Sequence, residues 1–380
     1  MTSPQAREDY EALARAAFED VACMPAFVDA ISKNPAPLFD SALERLVATS
    51  RYADNSVQPP ETFNLVFENT PGYYANTDLK SGTITIRRSV MSLIRDISEL
   101  HTAYEALYAF DGSLVHGPTL TNEEIKKLIT RSARNFVRNE SGVWREDERL
   151  RQCFLERTLR DTGERATRQT ATHFFLRLIS LACFVVAHEL AHILRHRPSW
   201  NPLRRRKSRE NMELEADQIA AKWVLDYIYI PPTVFAEEPP VTGQGPIADM
   251  MMSGLWYREQ ESKWHKGGLE SLFEAISHAG NAPNVVYTSE YEAARAVSVS
   301  VIALFFNVWS RVEVEAWTAG LDFGPGYPSA AARYENFRSA CHAHPHSPPD
   351  MFDKPNGRRG PLQTEYEMFR DIFVDVNGRP

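Results

Sequence analysis

Two histidines four residues apart with a glutamate directly after the first, His188-Glu189-Leu190-Ala191-His192, form the part of this sequence best suited to chemistry. On an α-helix the two imidazoles lie on one face and can point at one ion, with Glu189 about a hundred degrees around the axis. Such a pair holds zinc through two nitrogens and leaves a carboxylate beside a metal-activated water, with Glu189 as general base. With 11 histidines in 380 residues, a random HExxH is expected roughly 2 times in 100, so the surroundings must decide. The motif lies in an apolar stretch, where three grouped ionisable side chains are costly to bury without a partner such as a metal.

A second acidic pair follows in Met-Glu-Leu-Glu-Ala-Asp, where Glu213 and Asp217 are again four apart on a predicted helix. A catalytic zinc takes three protein ligands, and Glu213 is the natural third beside His188 and His192. Asp217 can accept the remaining N–H of a ligating histidine and so set its tautomer. Small residues (Ala187, Ala191, Ala216, Ala220) allow the two helices a close approach. Glu215 competes for the ligand role, and His196, one turn past His192, is expected to be exposed.

HELAH followed by E-x-E-A-D-x-x-A-A resembles the gluzincin peptidases. The resemblance gives His188, His192 and Glu213 to zinc, Glu189 to catalysis and Asp217 to the support of a histidine. The run ELEADQIAAKWVLDYIYIPP is similar to the ImmA/IrrE-type regulatory peptidases. The later GYPSAAARYENF resembles an H-P-S-x-x-x-R element of the prenyl-protease and heat-shock membrane peptidases and of the phage-exclusion Lit-like peptidases. Here Tyr327 stands in place of the histidine, and its hydroxyl could hydrogen-bond an oxyanion. The resemblance covers about a third of the chain. It implies a zinc-dependent endopeptidase acting on a protein or peptide substrate. A non-proteolytic zinc-binding regulatory module, in phage defence or stress response, is the alternative reading.

The elements that must position these residues give an α+β fold, mostly helical with a small β-sheet before the HExxH helix, and the resemblance implies that this is a zincin-like core. Residues 1–60 read as a helical section, 61–345 as the catalytic domain with a helical insertion at about 115–170, and 346–380 as an irregular tail. Between Thr62 and Ile86, FNLVFE and GTITI alternate as strands do, and the resemblance to zincin folds implies an edge strand that pairs with extended substrate, for which Tyr73–Asp78 or Thr83–Ile86 is the candidate. From Arg88 to Phe110 the pattern is helical, and Thr121 with Glu124 forms a capping box opening a helix through Arg138. Helices are predicted over Glu210–Tyr229 and Ser289–Trp317, with Trp309 and Trp317 in the core and the histidines at 342, 344 and 346 in a solvated tail.

A net charge of -8 supplies no overall field for nucleic acid or an anionic membrane. The basic loop Arg204–Arg209, between the two ligand helices, is the one local place where nucleic acid could bind. Four widely spaced cysteines look like reduced thiols, and the N-terminus lacks the order of a signal peptide, so the cytoplasm is the expected location. The apolar run ending at Leu194 is interrupted by Arg177, His188, Glu189 and His192, too short a span for a bilayer.

Overall fold

The computed structural model describes residues 64–68, 75–104, 107–108, 114–116, 121–138, 164–196, 208–229 and 290–345 without 322 and 325, plus scattered positions before residue 31. The tail from 346, the segment 231–288 and all but Ser208 and Arg209 of the basic loop lie outside the described residues. So do Tyr73 and Tyr74 of one candidate edge, and Cys23 and Cys153. The remaining two thiols, Cys183 and Cys341, are free and buried.

The architecture is α+β, mostly helical with a small sheet. The sheet contains β1 (Asn64–Glu68), β2 (Asn76–Asp78) and β3 (Thr83–Arg87) in the order β1-β3-β2. β1 runs parallel to β3, with Leu65 opposite Ile84, and β2 runs antiparallel, with Thr77 opposite the same Ile84. Alternation along TITIR puts Ile84 and Ile86 fully into the core while the threonines are half-buried. β3 is thus the central strand, paired with β1 and β2 along its two edges while its apolar face turns to the core. Of the two candidate edges, Thr83–Ile86 is therefore not one, whereas Asn76–Asp78, the described strand of the Tyr73–Asp78 candidate, is an edge among the described strands.

Helix α1 (Arg88–Tyr104) buries Val90, Leu93, Ile94, Ile97 and Leu100 at helical spacing. It stops short of the predicted Phe110: Leu107–Tyr108 (β4) pairs antiparallel with Leu114–His116 (β5) in a two-stranded ribbon that the helical reading did not foresee. Helix α2 (Asn122–Val137) opens on the capping box, with Thr121 accepting from the Glu124 N–H and the Glu124 carboxylate accepting from the Thr121 N–H.

Helix α3 (Glu164–His196, 33 residues) is buried on every side from Leu181 to Ala191, which is the signature of a central core helix. Helices α1, α4 (Arg209–Tyr229) and α5 (Glu290–Thr318) pack around it, along with β2 and β3. Among the described residues no helix is long and apolar enough to cross a membrane.

Helix α5 buries Trp309, Val312 and Ala316 along one stripe, and Trp317, a hundred degrees past Ala316, points outward at 81% exposure. The expectation of a core Trp317 is corrected on that ground. α5 ends in a Schellman closure, with Leu321 N–H on the Ala316 carbonyl and Gly320 N–H on that of Trp317. Gly320 takes φ +73, a conformation that favours glycine. The chain then turns into α6 (Ala330–Ala343), whose N-cap Ser329 accepts from the Ala332 N–H. Since α6 runs on to Ala343, His344 is its C-cap and is buried, which corrects its placement in a solvated tail; His342 is exposed.

Ala187 and Ala191 of α3 and Ala216 and Ala220 of α4 are all fully or almost fully buried. Glu213, Ala216, Asp217 and Ala220 follow the i, i+3, i+4, i+7 rule and share the face turned to α3. Ala216→Leu is expected to lower stability by about 1–3 kcal/mol through overpacking and to weaken metal uptake by parting the helices. Thermal unfolding and metal titration of the variant check both effects.

Candidate metal centre

The centre is built where α3 and α4 cross. His188 Nε2 lies 3.2 Å from His192 Nε2 and 3.2 Å from Glu213 Oε2, and His192 Nε2 lies 3.7 Å from the same oxygen. Ligand atoms about 2.0–2.1 Å from a tetrahedral ion stand about 3.3 Å apart; the two edges from His188 have that length and the third, at 3.7 Å, is longer. Among the described residues this is the one group of three or more His, Cys, Asp or Glu side chains placed to hold a metal.

Each histidine has its outer nitrogen engaged. His188 Nδ1 is 2.9 Å from Asp217 Oδ1, and a carboxylate there requires Nδ1–H, leaving the Nε2 lone pair free to bind an ion. Asp217 is fully buried and also receives Arg333 Nε at 2.8 Å and Nη2 at 2.7 Å, a two-pronged contact from α6. His192 Nδ1 lies 2.8 Å from His196 Nδ1, and His196 Nε2 lies 3.0 Å from Glu215 Oε2. Only one tautomer chain serves all these contacts when His192 Nε2 is a ligand: His192 Nδ1–H donates to His196, and His196 Nε2–H donates to Glu215. His196 is thus buried, not exposed as expected, because α3 continues through its last turn beneath Glu215. Glu215 serves His196 and stands outside the ligand set.

Charge balance supports the same arrangement. Burial alone would favour a neutral His188, but the Asp217 carboxylate and the bonds from Asp217 and Glu213 outweigh it and lift the imidazolium to about 10. Burial disfavours the Glu213 carboxylate, yet the two histidines hold its pKa far below the usual range. Burial likewise opposes ionisation of Asp217, and Arg333 and then His188 bring its pKa below the ordinary value. A cation at the centre would replace the proton that His188 otherwise carries.

Glu189 is buried and its Oε2 accepts a 2.6 Å hydrogen bond from the Thr77 hydroxyl of β2. It lines the same cavity as the ligands, and so does Tyr327. The Tyr327 hydroxyl accepts from Arg333 Nη1, and Arg209 and Arg333 each lie over its ring, at 5.5 and 5.4 Å. The turn bearing Tyr327 passes so close to α4 that a Cβ on Gly324, at φ +90, would meet Arg209 Nη1 at 3.0 Å. Arg209 is the one arginine of the basic loop described, and it sits at the cavity.

The structure brings His188, Glu189, His192, Glu213, Asp217 and Tyr327 together. Two contributors escaped the sequence reading, Arg333 and Thr77, while His196 was read there as exposed. Arg333 occupies the last position of the loose P-S-x-x-x-R resemblance, a signal that could have found it, whereas Thr77 carries none. Comparison with protein-family models, with curated proteins and with solved structures found no match.

Two outcomes follow from this geometry. His196→Phe is expected to weaken metal affinity about 10- to 100-fold, as loss of a ligand's outer partner does, and His196→Gln to restore part of it; chelator-competition titration distinguishes the two variants. Because the ion displaces the His188 proton, and that proton stays on below about pH 10, apparent affinity should rise about tenfold per pH unit from pH 6 to 9. Calorimetry in buffers of different ionisation enthalpy should count about one proton released per ion, and a pH-independent affinity would contradict the assignment.

Proposed function

We propose that this chain is a zinc-dependent endopeptidase with a zincin-like core, of the gluzincin type and akin to the ImmA/IrrE-type and Lit-like peptidases. The observation that carries the reading is the convergence of His188 Nε2, His192 Nε2 and Glu213 Oε2 within 3.7 Å of one another, with a further carboxylate, Glu189, in the same cavity. Two imidazoles and one carboxylate are a donor set suited to zinc in a catalytic, three-ligand site. Zinc, when bound, polarises a carbonyl and brings the pKa of water towards neutrality.

The remaining steps belong to the protein. Glu189 takes the proton of the attacking water and returns it to the leaving amine. Thr77 holds one oxygen of that carboxylate and leaves the other for the proton. Burial raises the pKa of Tyr327, keeping it protonated, and with Arg333 donating to its oxygen its own O–H is available to an oxyanion. β2, an edge among the described strands with Thr77 against Glu189, can add an extended peptide as a further strand, so that backbone is read first and side chains second.

His188→Ala is expected to remove the metal, checked by zinc analysis of purified protein; equal zinc in variant and wild type would sink the assignment. Glu189→Gln should keep zinc and fold while cutting peptide hydrolysis about 10²- to 10⁴-fold, followed by mass spectrometry of a peptide mixture. Zinc retained with no cleavage by the wild-type protein would instead favour a non-proteolytic metal module.

A further inference from the structure

We propose that Arg209 anchors the substrate by binding a carboxylate of the peptide, an acidic side chain or the chain's C-terminus, close to the scissile bond. This rests on the peptidase reading and names the substrate class for it. Arg209 is the first residue of α4, one helical turn before Glu213, and it lines the same cavity as Glu189 and the metal ligands. Its guanidinium lies over the Tyr327 ring, 5.5 Å from the centroid. The cation therefore stands one ring away from the hydroxyl proposed for the oxyanion.

The charges around the cavity leave this one over. Arg333 is matched by Asp217, to which it donates twice. A zinc ion would be matched by the carboxylates of Glu213 and Glu189, which line the cavity together. Glu213, although one turn from Arg209, is engaged by both histidines. Among the described residues Arg209 itself pairs with no carboxylate and donates no hydrogen bond; its contact is with the ring of Tyr327. A carboxylate is the anion that an unmodified peptide brings to such a place, and binding one completes the balance.

The side chain is also held in position for that contact. The turn before α6 passes beside it, so that a Cβ on Gly324 would meet Nη1 at 3.0 Å and one on Gly326 would stand 3.7 Å from Arg209 Cβ. With one face of the guanidinium on Tyr327 and one edge at this turn, its remaining N–H groups are open, Arg209 being exposed. A planar fork of donors serves both oxygens of a carboxylate at once. Because ring and turn already restrict the side chain, less freedom is lost when a substrate binds. In sequence Arg204, Arg205, Arg206 and Lys207 lead directly to it, a concentration of positive charge in a chain whose net charge is -8 and whose remainder repels acidic peptides.

The test uses the zinc-loaded full chain and three phosphinic peptides of one length, in which a phosphinate stands in for the scissile amide. The first has aspartate on each side of the phosphinate and a C-terminal amide, the second asparagine and an amide, the third asparagine and a free C-terminal carboxylate. The first or the third should bind about tenfold more tightly than the second, the gain from a charge-assisted pair; the first marks recognition of an acidic side chain, the third recognition of the chain end. Arg209→Met, which keeps the packing on Tyr327 without the charge, should bring the ratio close to one and leave zinc uptake unchanged. Arg209→Gln serves the same purpose if that variant fails to fold. Equal affinity of all three compounds, or a preference that survives loss of the guanidinium, overturns the role of Arg209 and leaves the peptidase reading standing. Zinc uptake without binding of any of the three overturns both.

Discussion

The fully buried carboxylate of Asp217 is the interaction on which the rest of the structure depends. A lone ionised carboxylate in a protein interior is prohibitive, so everything around it is arranged to share its charge. Arg333 grips both oxygens from α6 and His188 donates to one from α3, while Asp217 itself belongs to α4. Three helices are thereby fixed at one point, and removing either partner would leave a buried charge exposed to the full cost of desolvation, about 3–5 kcal/mol. The same contact turns the His188 ring and, through Arg333, positions the Tyr327 hydroxyl.

From that point the site extends by helical repeat. On α4, Glu213 and Asp217 stand one turn apart and both meet His188, one at each ring nitrogen. Glu215, between them in sequence, is turned aside by two hundred degrees and meets the last histidine of α3 instead. Each inner histidine so ends on a carboxylate of α4, His188 directly and His192 through His196. The sheet contributes a single hydroxyl, that of Thr77, and its edge; α3 adds Phe184 and α5 adds Phe305 and Trp309 to the lining of the cavity.

Much of the local structure was legible because it depends on neighbours in sequence. The Thr121–Glu124 capping box, the alternation of TITIR and the bounds of α4 and α5 each rest on contacts within a few residues. The ligand pairs were legible for the same reason, since four-residue spacing puts two side chains on one helical face whatever surrounds them. Misreadings fell where the surroundings decide. Trp317 is apolar yet outward, His196 and His344 are polar yet buried, and Leu107–Tyr108 leave the helical pattern to pair with a later strand.

By itself the sequence determined which side chains are available for chemistry and which of them lie one turn apart. Only the tertiary structure decided that α3 and α4 cross with Glu213 facing His188 and His192. It also decided that Arg333, more than a hundred residues beyond Asp217, neutralises that carboxylate, and that rings from two distant segments face the cavity. The physical reason is range. Backbone periodicity is a short-range property that sequence spacing encodes directly, whereas burial, charge compensation and cavity shape depend on contacts between segments whose approach no local pattern specifies.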